Sequence, residues 1–470
     1  MISTSLQRLK YIVTDFVTTN IAFCCFNVCR FYLIDAELGA SSVSGYLLST
    51  KLLIEQLLIP ILMLCVYWFS GYYNNPFLRS RIHSLIQTFT SSVINTAIIY
   101  LGLLVNETSI QKIEHYELVL ALFALLLLIP YIGRYIITTY TFKMIRTKKW
   151  QFNTIIVGNS KKARIFADKL AKSQSVYGYH TVGFVEVAGE TNVKDSHRIY
   201  TIPELPQAIA ENHISQIVIA LEDNDEKKVL SIVNQLFDLD VTLKVAVENF
   251  THLSSAIRTV DVYGEPMIDI STPTMSESSK NIKRFLDVVV SAVALIFLAI
   301  PFLFIALAIK LDSKGPVFYK QYRVGYRRKL FPIYKFRSMC KDAETTTPML
   351  SSETDSRVTN VGKFMRKYRI DELPQFWNVI KGDMALVGPR PERPYYINLI
   401  VKEAPYYTLL HQVRPGITSW GMVKFGYAQS VEEMVERSKY DLLYLSNMSL
   451  TMDLKILIFT IKTVLTGKGI

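Results

Sequence analysis

Four apolar runs, at residues 11–34, 52–70, 85–105 and 117–138, constrain this chain more than any other feature. About 20 residues of helix cross a hydrocarbon core at roughly 1.5 Å per residue, so each run predicts a membrane span. The first run carries Asp15 and Asn20, and beyond Asp15 the runs offer few ionisable groups besides Glu55 and Arg134. In a bundle interior such residues are read as structural. Cations mark three boundaries: Arg8 and Lys10; Arg79, Arg81 and His83; then Lys143, Arg146, Lys148 and Lys149. The other two loops carry Asp35, Glu37, Glu107 and Glu114. This bias predicts that the N-terminus and everything after residue 140 face the cytoplasm. The first run continues past Tyr32 and three more follow, which argues against a cleaved signal peptide.

The formal charge of +12 suits anionic lipid or phosphorylated ligands once spans are present, and nucleic acid is not an expected partner. The five cysteines form no CxxC pair and no zinc spacing, so neither disulfides nor zinc are expected.

Residues 150–275 alternate short β-rich runs with helical stretches, as in "NTIIVGNSKKARIFADKLAKS", and predict a parallel, Rossmann-like sheet. After Gly158 the next glycine is Gly178, so the GxGxxG phosphate turn is missing and a scaffold or regulatory role is favoured. The polar stretch "STPTMSESSK", residues 271–280, reads as a linker.

A fifth apolar run, residues 288–309, is long enough to span, yet cations flank both ends: Lys280, Lys283 and Arg284 before it, and Lys310, Lys314, Lys320 and Arg323 after it. Pro301 near its middle removes one helical hydrogen bond. The expectation is a re-entrant helix-break-helix over residues 284–310 that enters and leaves by the cytoplasmic face.

The chemistry lies beyond this run. "FPIYKFRSM" reads as a strand on which Ile333, Lys335 and Arg337 share one face. In "VGKFMRKYRIDELPQFWNVIKGD", Leu373 is expected outside the α region because a proline follows it, and Pro374 restarts a helix that Gly382 ends. Asp371 and Glu372 thus fall at a helix start, where carboxylates cap free N–H groups. Their company points further. "LVGPRPERP" holds Arg390 between two prolines, and Arg414 is followed by Pro415 and Gly416. Two carboxylates with preset cations are what phosphoryl transfer needs.

The ordered motifs "KRFLD", "KLDSKGPVFYKQYRVG", "YKFRSM", "DELPQFWNVIKGDMALVGPRPE" and "VRPGIT" resemble the bacterial sugar transferases, monotopic polyprenol-phosphate phosphoglycosyl transferases. The similarity covers residues 280–470, and the spans and α/β unit ahead of it resemble the family's long form. It implies a membrane protein with a four-helix transmembrane bundle at 1–145, a degenerate Rossmann-like α/β domain at 150–275, and an α+β catalytic domain at 280–470. It implies transfer of hexose-1-phosphate from a UDP-hexose, glucose or galactose favoured and an N-acetylhexosamine the alternative, to undecaprenyl phosphate. Such reactions start exopolysaccharide, capsule or O-antigen repeats at the inner (cytoplasmic) membrane.

By this resemblance Asp371 is the nucleophile, forming a phosphosugar–aspartyl intermediate, and Glu372 with Asp371 holds Mg2+. Lys335, Arg337, Arg390 and Arg414 grip phosphates or nucleotide, Asp441 matches a further motif acid, and Lys283, Arg284 and Asp287 match the opening of the dip. Two departures stand out. Ile300 precedes the proline of the dip where serine is common, and Ser419-Trp420-Gly421-Met422 replaces the frequent Gly-Trp-Ala-Gln. A transporter, or an NAD-dependent nucleotide-sugar enzyme working through the middle domain, is the rival class. A homodimer is compatible with the surface that these domains offer.

Overall fold

The computed structural model describes residues 4–35, 42–77, 80–106, 116–172, 174, 178–190, 193, 197–223, 225–246, 267–270, 275–340 and 355–466. Glu37, Arg79, Glu107 and Glu114, used above for orientation, and the first four linker residues lie outside the described residues. The chain divides into two compact units, one of residues 1–151 with 276–282 and the other of residues 152–275 with 283–470.

The first unit is built on α1 (Thr4–Arg30), α2 (Thr50–Phe69), α3 (Arg81–Asn106) and α4 (Tyr116–Arg146). All four are long and apolar enough to cross a membrane. An apolar exterior and polar groups among the apolar interior set them apart from a water-soluble bundle. Asp15, Thr88, Ser92 and Arg134 are buried, while Leu57, Leu58, Leu120, Ile132 and Ile136 are exposed. Without a hydrophobic drive between helices, polar rungs and close packing fix the pairing. Helix α1 runs antiparallel to α4 through Gln7–Thr141 at 2.9 Å, Tyr11–Thr138 at 3.1 Å and Arg134 Nη2–Asp15 Oδ2 at 2.8 Å. Gly133 permits this approach, since a Cβ there would stand 2.8 Å from a methyl of Thr18. The Arg134 guanidinium also donates to Thr88 Oγ1 at 2.8 Å and lies between the rings of Tyr67 and Tyr72, 4.0 and 3.8 Å from their centroids. The ionisable residues Asp15 and Arg134 thus serve as each other's partners.

The second unit begins with a sheet of β1 (Phe152–Val157), β2 (Tyr179–Val185), β3 (Arg198–Tyr200), β4 (Gln216–Ile219), β5 (Thr242–Ala246) and β6 (Met267–Asp269). The strand order is β3-β2-β1-β4-β5-β6, parallel except for the antiparallel β5–β6 edge. That is the doubly wound arrangement expected of alternating strands and helices. Helices α5 (Lys161–Lys172), α6 (Leu205–Asn212) and α7 (Glu226–Leu236) connect it. Leu409, Val413 and Leu445 from the C-terminal segment enter the same core as Ile217, Ile219 and Leu236.

Helix α8 (Glu277–Asp312) begins earlier and runs longer than its apolar run suggests. Residues Glu277 to Lys280, read above as linker, are its first turn: Ser276 Oγ accepts from Ser279 N at 3.2 Å. The expected break at Pro301 does not interrupt the helix. Proline forfeits one i→i−4 bond and the remaining bonds continue around it. Both flanks of α8 pack on the second unit. Upstream, Lys283 Nζ donates to Val387 O at 3.0 Å, and Asp287 Oδ1 accepts from Leu386 N at 3.2 Å. Downstream, the Phe302 ring meets Phe336 at 4.9 Å, and Asp312 Oδ2 accepts from Val361 N at 3.0 Å.

The rest of this unit holds an antiparallel hairpin, β7 (Phe318–Val324) and β8 (Leu330–Phe336), and a short parallel pair, β9 (Ala385–Val387) and β10 (Gly416–Thr418). Around them lie α9 (Asn360–Lys367), α10 (Gln375–Lys381), α11 (Pro394–Glu403), α12 (Trp420–Lys424), α13 (Val431–Ser446) and α14 (Leu450–Leu465). Helix α14 leaves Leu454, Ile458, Ile461 and Leu465 exposed at helical spacing. With five helices among the described residues long and apolar enough to span, this is a membrane protein carrying a parallel α/β unit.

Candidate active site

Thr359 caps α9, its Oγ1 accepting from Gly362 N at 3.1 Å, and the helix ends at Lys367. Arg369 then takes the left-handed conformation at φ +54° and reverses the chain into a 3-10 turn, Ile370–Glu372. Non-glycine residues hold that conformation at a cost of about 1 kcal/mol, and such strain gathers at functional sites. Leu373 departs from the expectation. It lies in the helical region at φ −57°, ψ −33°, because the 3-10 turn runs on through Pro374. Leu373 N bonds Ile370 O at 3.2 Å and Phe376 N bonds Leu373 O at 3.2 Å, so tight-turn bonds hold Leu373 helical on both sides although Pro374 donates none. Asp371 and Glu372 therefore sit inside a continuous tight coil that becomes α10. Gly382 closes that helix at φ +98°.

Asn378, fully buried on α10, stitches the helix to the hairpin. Its Oδ1 accepts from Tyr334 N at 3.1 Å and its Nδ2 donates to Pro332 O at 2.7 Å. The register brings Lys335 of β8 onto Glu372, with Nζ 2.7 Å from Oε1. Arg369 Nη1 lies 3.5 Å from Glu372 Oε2 and Arg390 Nη1 lies 3.7 Å from Oε1. Burial alone would raise the Glu372 carboxyl; Lys335, then Arg390 and Arg369, overcome it and hold the group well below the ordinary range. Asp371 goes the other way. Burial pushes it up to about 6, the charge of Glu372 adds to the shift, and Lys335, Arg366 and Arg369 oppose it. Four cations thus face two carboxylates of unequal acidity, a surplus of positive charge suited to a diphosphate.

Arg390 is held on several sides. Tyr427 presents its ring to both Arg390 and Arg369, at 5.2 and 5.1 Å. Met422 Sδ lies 3.3 Å from Arg390 Nη1, and Glu392 Oε1 lies 3.8 Å from its Nε. Glu392 is itself bound by Arg437 at 2.6 Å and Arg323 at 3.3 Å. Asp441 Oδ1 accepts from Gly421 N at 2.8 Å and so pins the start of α12; burial pushes its carboxyl up to about 6.

Other residues singled out from the sequence lie apart from this cluster. Arg337 is one residue past the end of β8, and its Nη2 donates to Ser313 O at 2.6 Å and Ile309 O at 3.3 Å, capping the end of α8. Gly315 at φ +138° makes room for it, since a Cβ would stand 2.3 Å from Arg337 Nη1. Arg284 donates to Val379 O at 2.7 Å and Ile380 O at 3.0 Å, while Arg414 Nε donates to Gly382 O at 2.9 Å. Both cap the far end of α10, about one helix length, roughly 10 Å, from the carboxylates. Lys283 pairs with Asp453 at 2.7 Å.

Sequence reasoning gave no site role to Arg323, Arg366, Arg369, Glu392, Tyr427 and Arg437. Glu392 stood inside the quoted "GPRPE", Arg323 inside "KLDSKGPVFYKQYRVG", and Arg366 and Arg369 just ahead of the carboxylates in "VGKFMRKYRIDELPQFWNVIKGD"; Tyr427 and Arg437 lay outside the motifs quoted for the chemistry. Gln375 was also missed; its Nε2 is buried without a hydrogen-bond partner one turn beyond Asp371.

Two compared families divide the chain. Residues 278–467 match the bacterial sugar transferases and residues 69–246 match a CoA-binding domain. Over 188 residues the chain is 45% identical to the UDP-N-acetylgalactosamine-undecaprenyl-phosphate N-acetylgalactosaminephosphotransferase of Aeromonas hydrophila, covering 40% of this chain and 44% of that one. Over 262 residues it is 35% identical to the UDP-glucose:undecaprenyl-phosphate glucose-1-phosphate transferase of Klebsiella pneumoniae, covering 55% and 56%. A protein of that same description from Caulobacter vibrioides is 40% identical over 186 residues, covering 39% of this chain and 70% of that one. The chain belongs to the bacterial sugar transferase family, as its motifs implied. It spans about half the length of the first two relatives.

Proposed function

We propose that this protein transfers hexose-1-phosphate from a UDP-hexose to undecaprenyl phosphate at the cytoplasmic face of the inner membrane. The observation that carries the reading is the asymmetric carboxylate pair. Glu372 is neutralised by Lys335, Arg369 and Arg390, while Asp371 is buried beside it with a raised affinity for protons. A carboxylate poorly satisfied by its surroundings is a better nucleophile than one tied down by hydrogen bonds. An Asp371 oxygen attacks the sugar-bearing phosphorus, and the bond from that phosphorus to the UMP oxygen breaks. UMP leaves with the electron pair. An oxygen of undecaprenyl phosphate then attacks the aspartyl-bound phosphorus, giving the lipid diphosphate sugar and regenerating the carboxylate.

Mg2+ fits the pair as a partial shell, since this ion is commonly held by one or two carboxylates plus water and substrate phosphate. Asp371 and Glu372 would hold it, and when bound it supplies charge neutralisation for the diphosphate.

The first four long helices serve as a four-span bundle, and α8 as a re-entrant dip. Supporting the dip, the two flanks of α8 pack on the same unit, at Asp287 and at Phe302. Around the middle of α8, Ile296, Phe297, Ile300, Leu303 and Phe304 are exposed, an apolar stretch suited to lipid. The apolar stripe of α14 would lie at the interface.

Glucose or galactose is the favoured sugar, and the description of the Klebsiella relative supports glucose. The identity to the Aeromonas protein favours an N-acetylhexosamine as the second reading. Detergent-purified protein mixed with Mg2+, undecaprenyl phosphate and a panel of UDP-sugars should release UMP with one donor preferred. No UMP from any donor would sink the transferase reading; release from UDP-N-acetylgalactosamine alone would select the second sugar.

A further inference from the structure

The α/β unit retains the crevice of a nucleotide-binding sheet, at the carboxyl ends of β1 and β4 where the strand order reverses. In such folds backbone N–H groups beyond these strands receive phosphate. Here they receive a side chain of the same protein. Glu190, from the loop after β2, accepts from Glu222 N at 2.8 Å through Oε1 and from Asn159 N at 3.3 Å through Oε2. One carboxylate thus bridges the loops that follow β1 and β4.

The surroundings are shaped for an anion. Gly158 stands at φ +118°, where a Cβ would come 2.3 Å from Ala220 O and 3.3 Å from Glu190 Oε2, so the backbone is bare at the point of approach. Asn159 is buried, and its Nδ2 has no hydrogen-bond partner. Arg164, on the first turn of α5, donates to Val193 O at 3.2 Å, and Val193 N bonds Asn159 O at 3.1 Å. The loop bearing Glu190 is thereby tied across the crevice next to a guanidinium.

We propose that this crevice is an anion seat whose occupant is the chain's own Glu190, so that the unit takes a phosphate-bearing ligand only in exchange for that carboxylate. A tethered group competes at an effective concentration on the order of millimolar. A free phosphate of similar intrinsic affinity is therefore held off the intact domain. The match to a CoA-binding domain then reflects a retained seat that is self-filled rather than open.

The test is hydrogen–deuterium exchange on the full-length protein, read at residues 158–164 and 220–222, with inorganic pyrophosphate or coenzyme A as probe. In Glu190→Ala these segments should exchange faster than in wild type. Pyrophosphate should restore protection at a concentration at least 10-fold lower than any that changes the wild type. Protection by coenzyme A but not pyrophosphate would assign the seat to an adenine nucleotide rather than a bare phosphate. Glu190→Gln, which keeps one acceptor oxygen, should fall between and serves if the alanine variant loses protection across strands β4 and β5. Failure of both probes to protect a folded variant would reduce Glu190 to a loop latch and overturn the proposal. Equal protection of wild type and variant would overturn it as well.

Discussion

Lys335 Nζ lies 2.7 Å from Glu372 Oε1, and both side chains are nearly withdrawn from water. Lys335 comes from a strand and Glu372 from a 3-10 turn, and Asn378 is what sets their register. Breaking a buried pair from one side strands a charge at about 3–5 kcal/mol. Here Arg369 and Arg390 lie near enough to share the loss. Lys335→Met should therefore cost about 2 kcal/mol in thermal stability while lowering UMP release at least 100-fold. Lys335→Met combined with Glu372→Gln should recover the stability and none of the activity. Melting curves and turnover, measured together, separate the two effects, and recovery of both in the double variant would count against a catalytic part for the pair.

Asp371 sets a pH dependence with opposite signs for rate and stability. Its folded pKa of about 6 lies above the unfolded value near 3.9, so the folded state binds the proton more tightly. Stability from this group is gained as pH falls from 6 toward 4, and above 6 its charge is a cost. Asp371→Asn removes that cost and should melt no lower than wild type at pH 7.5, with the advantage shrinking toward pH 4. Activity needs the ionised carboxylate, so turnover should fall tenfold per pH unit below about 6. Asp441 is also raised to about 6, which makes ownership of the limb testable. An Asp441→Asn variant that keeps the limb assigns it to Asp371; one that loses the limb assigns it to Asp441.

The hairpin turn between β7 and β8 holds Arg327 and Arg328 at φ +51° and +56°. Their side chains reach the end of α7, where Arg327 meets Asp240 and Arg328 Nε lies 3.3 Å from Asp238. Left-handed backbone costs each arginine about 1 kcal/mol, and exposed ion pairs return about 0–1 kcal/mol. Arg327→Gly with Arg328→Gly should therefore leave the melting temperature within about 3 °C of wild type. The same strand leads to the site, since Val324 N bonds Glu392 O at 3.0 Å and Arg323 binds the Glu392 carboxylate. A glycine pair that preserves the melting point but raises KM for the UDP-sugar would show that the α/β unit braces the Arg390 loop.

Much of this was legible because the signals are local. Length and apolarity announce four long helices, and Pro374 and Gly382 bracket α10. Alternating strands and helices announce the parallel sheet. Lys335, Asp371, Glu372 and Arg390 came from three separate motifs and lie together. What escaped depends on contacts remote in sequence. Glu392 and Arg437 are 45 residues apart, and nothing in either neighbourhood marks the pair. Arg284 and Arg414 sit in motifs as suggestive as that of Arg390, yet both go to carbonyls at the opposite end of α10. Arg337 left the face it shares with Lys335 on paper because the strand stops at Phe336. Leu373 kept helical angles where the steric rule for a residue before proline says otherwise, held on both sides by Leu373 N to Ile370 O and Phe376 N to Leu373 O.

Asp15 and Arg134 carry the last prediction, in the long helices rather than at the site. The pair is sealed from solvent and joined by Nε–Oδ1 and Nη2–Oδ2 contacts of 2.8 Å each, with Tyr73 Oη donating to Asp15 Oδ2 at 2.7 Å. Removing one member leaves an unpaired charge among apolar helices, where no water can repay it, at a cost of about 3–5 kcal/mol. Arg134→Met alone, or Asp15→Leu alone, should unfold at markedly lower denaturant in a detergent titration. Asp15→Leu with Arg134→Met exchanges the pair for apolar groups and should regain most of the loss. A transporter built on these helices would need the two charges, whereas a transferase needs only the anchor they stabilise. UMP release by the double variant within about threefold of wild type, alongside recovered stability, is the expected result; a folded double variant with no turnover would tie the buried pair to the reaction itself.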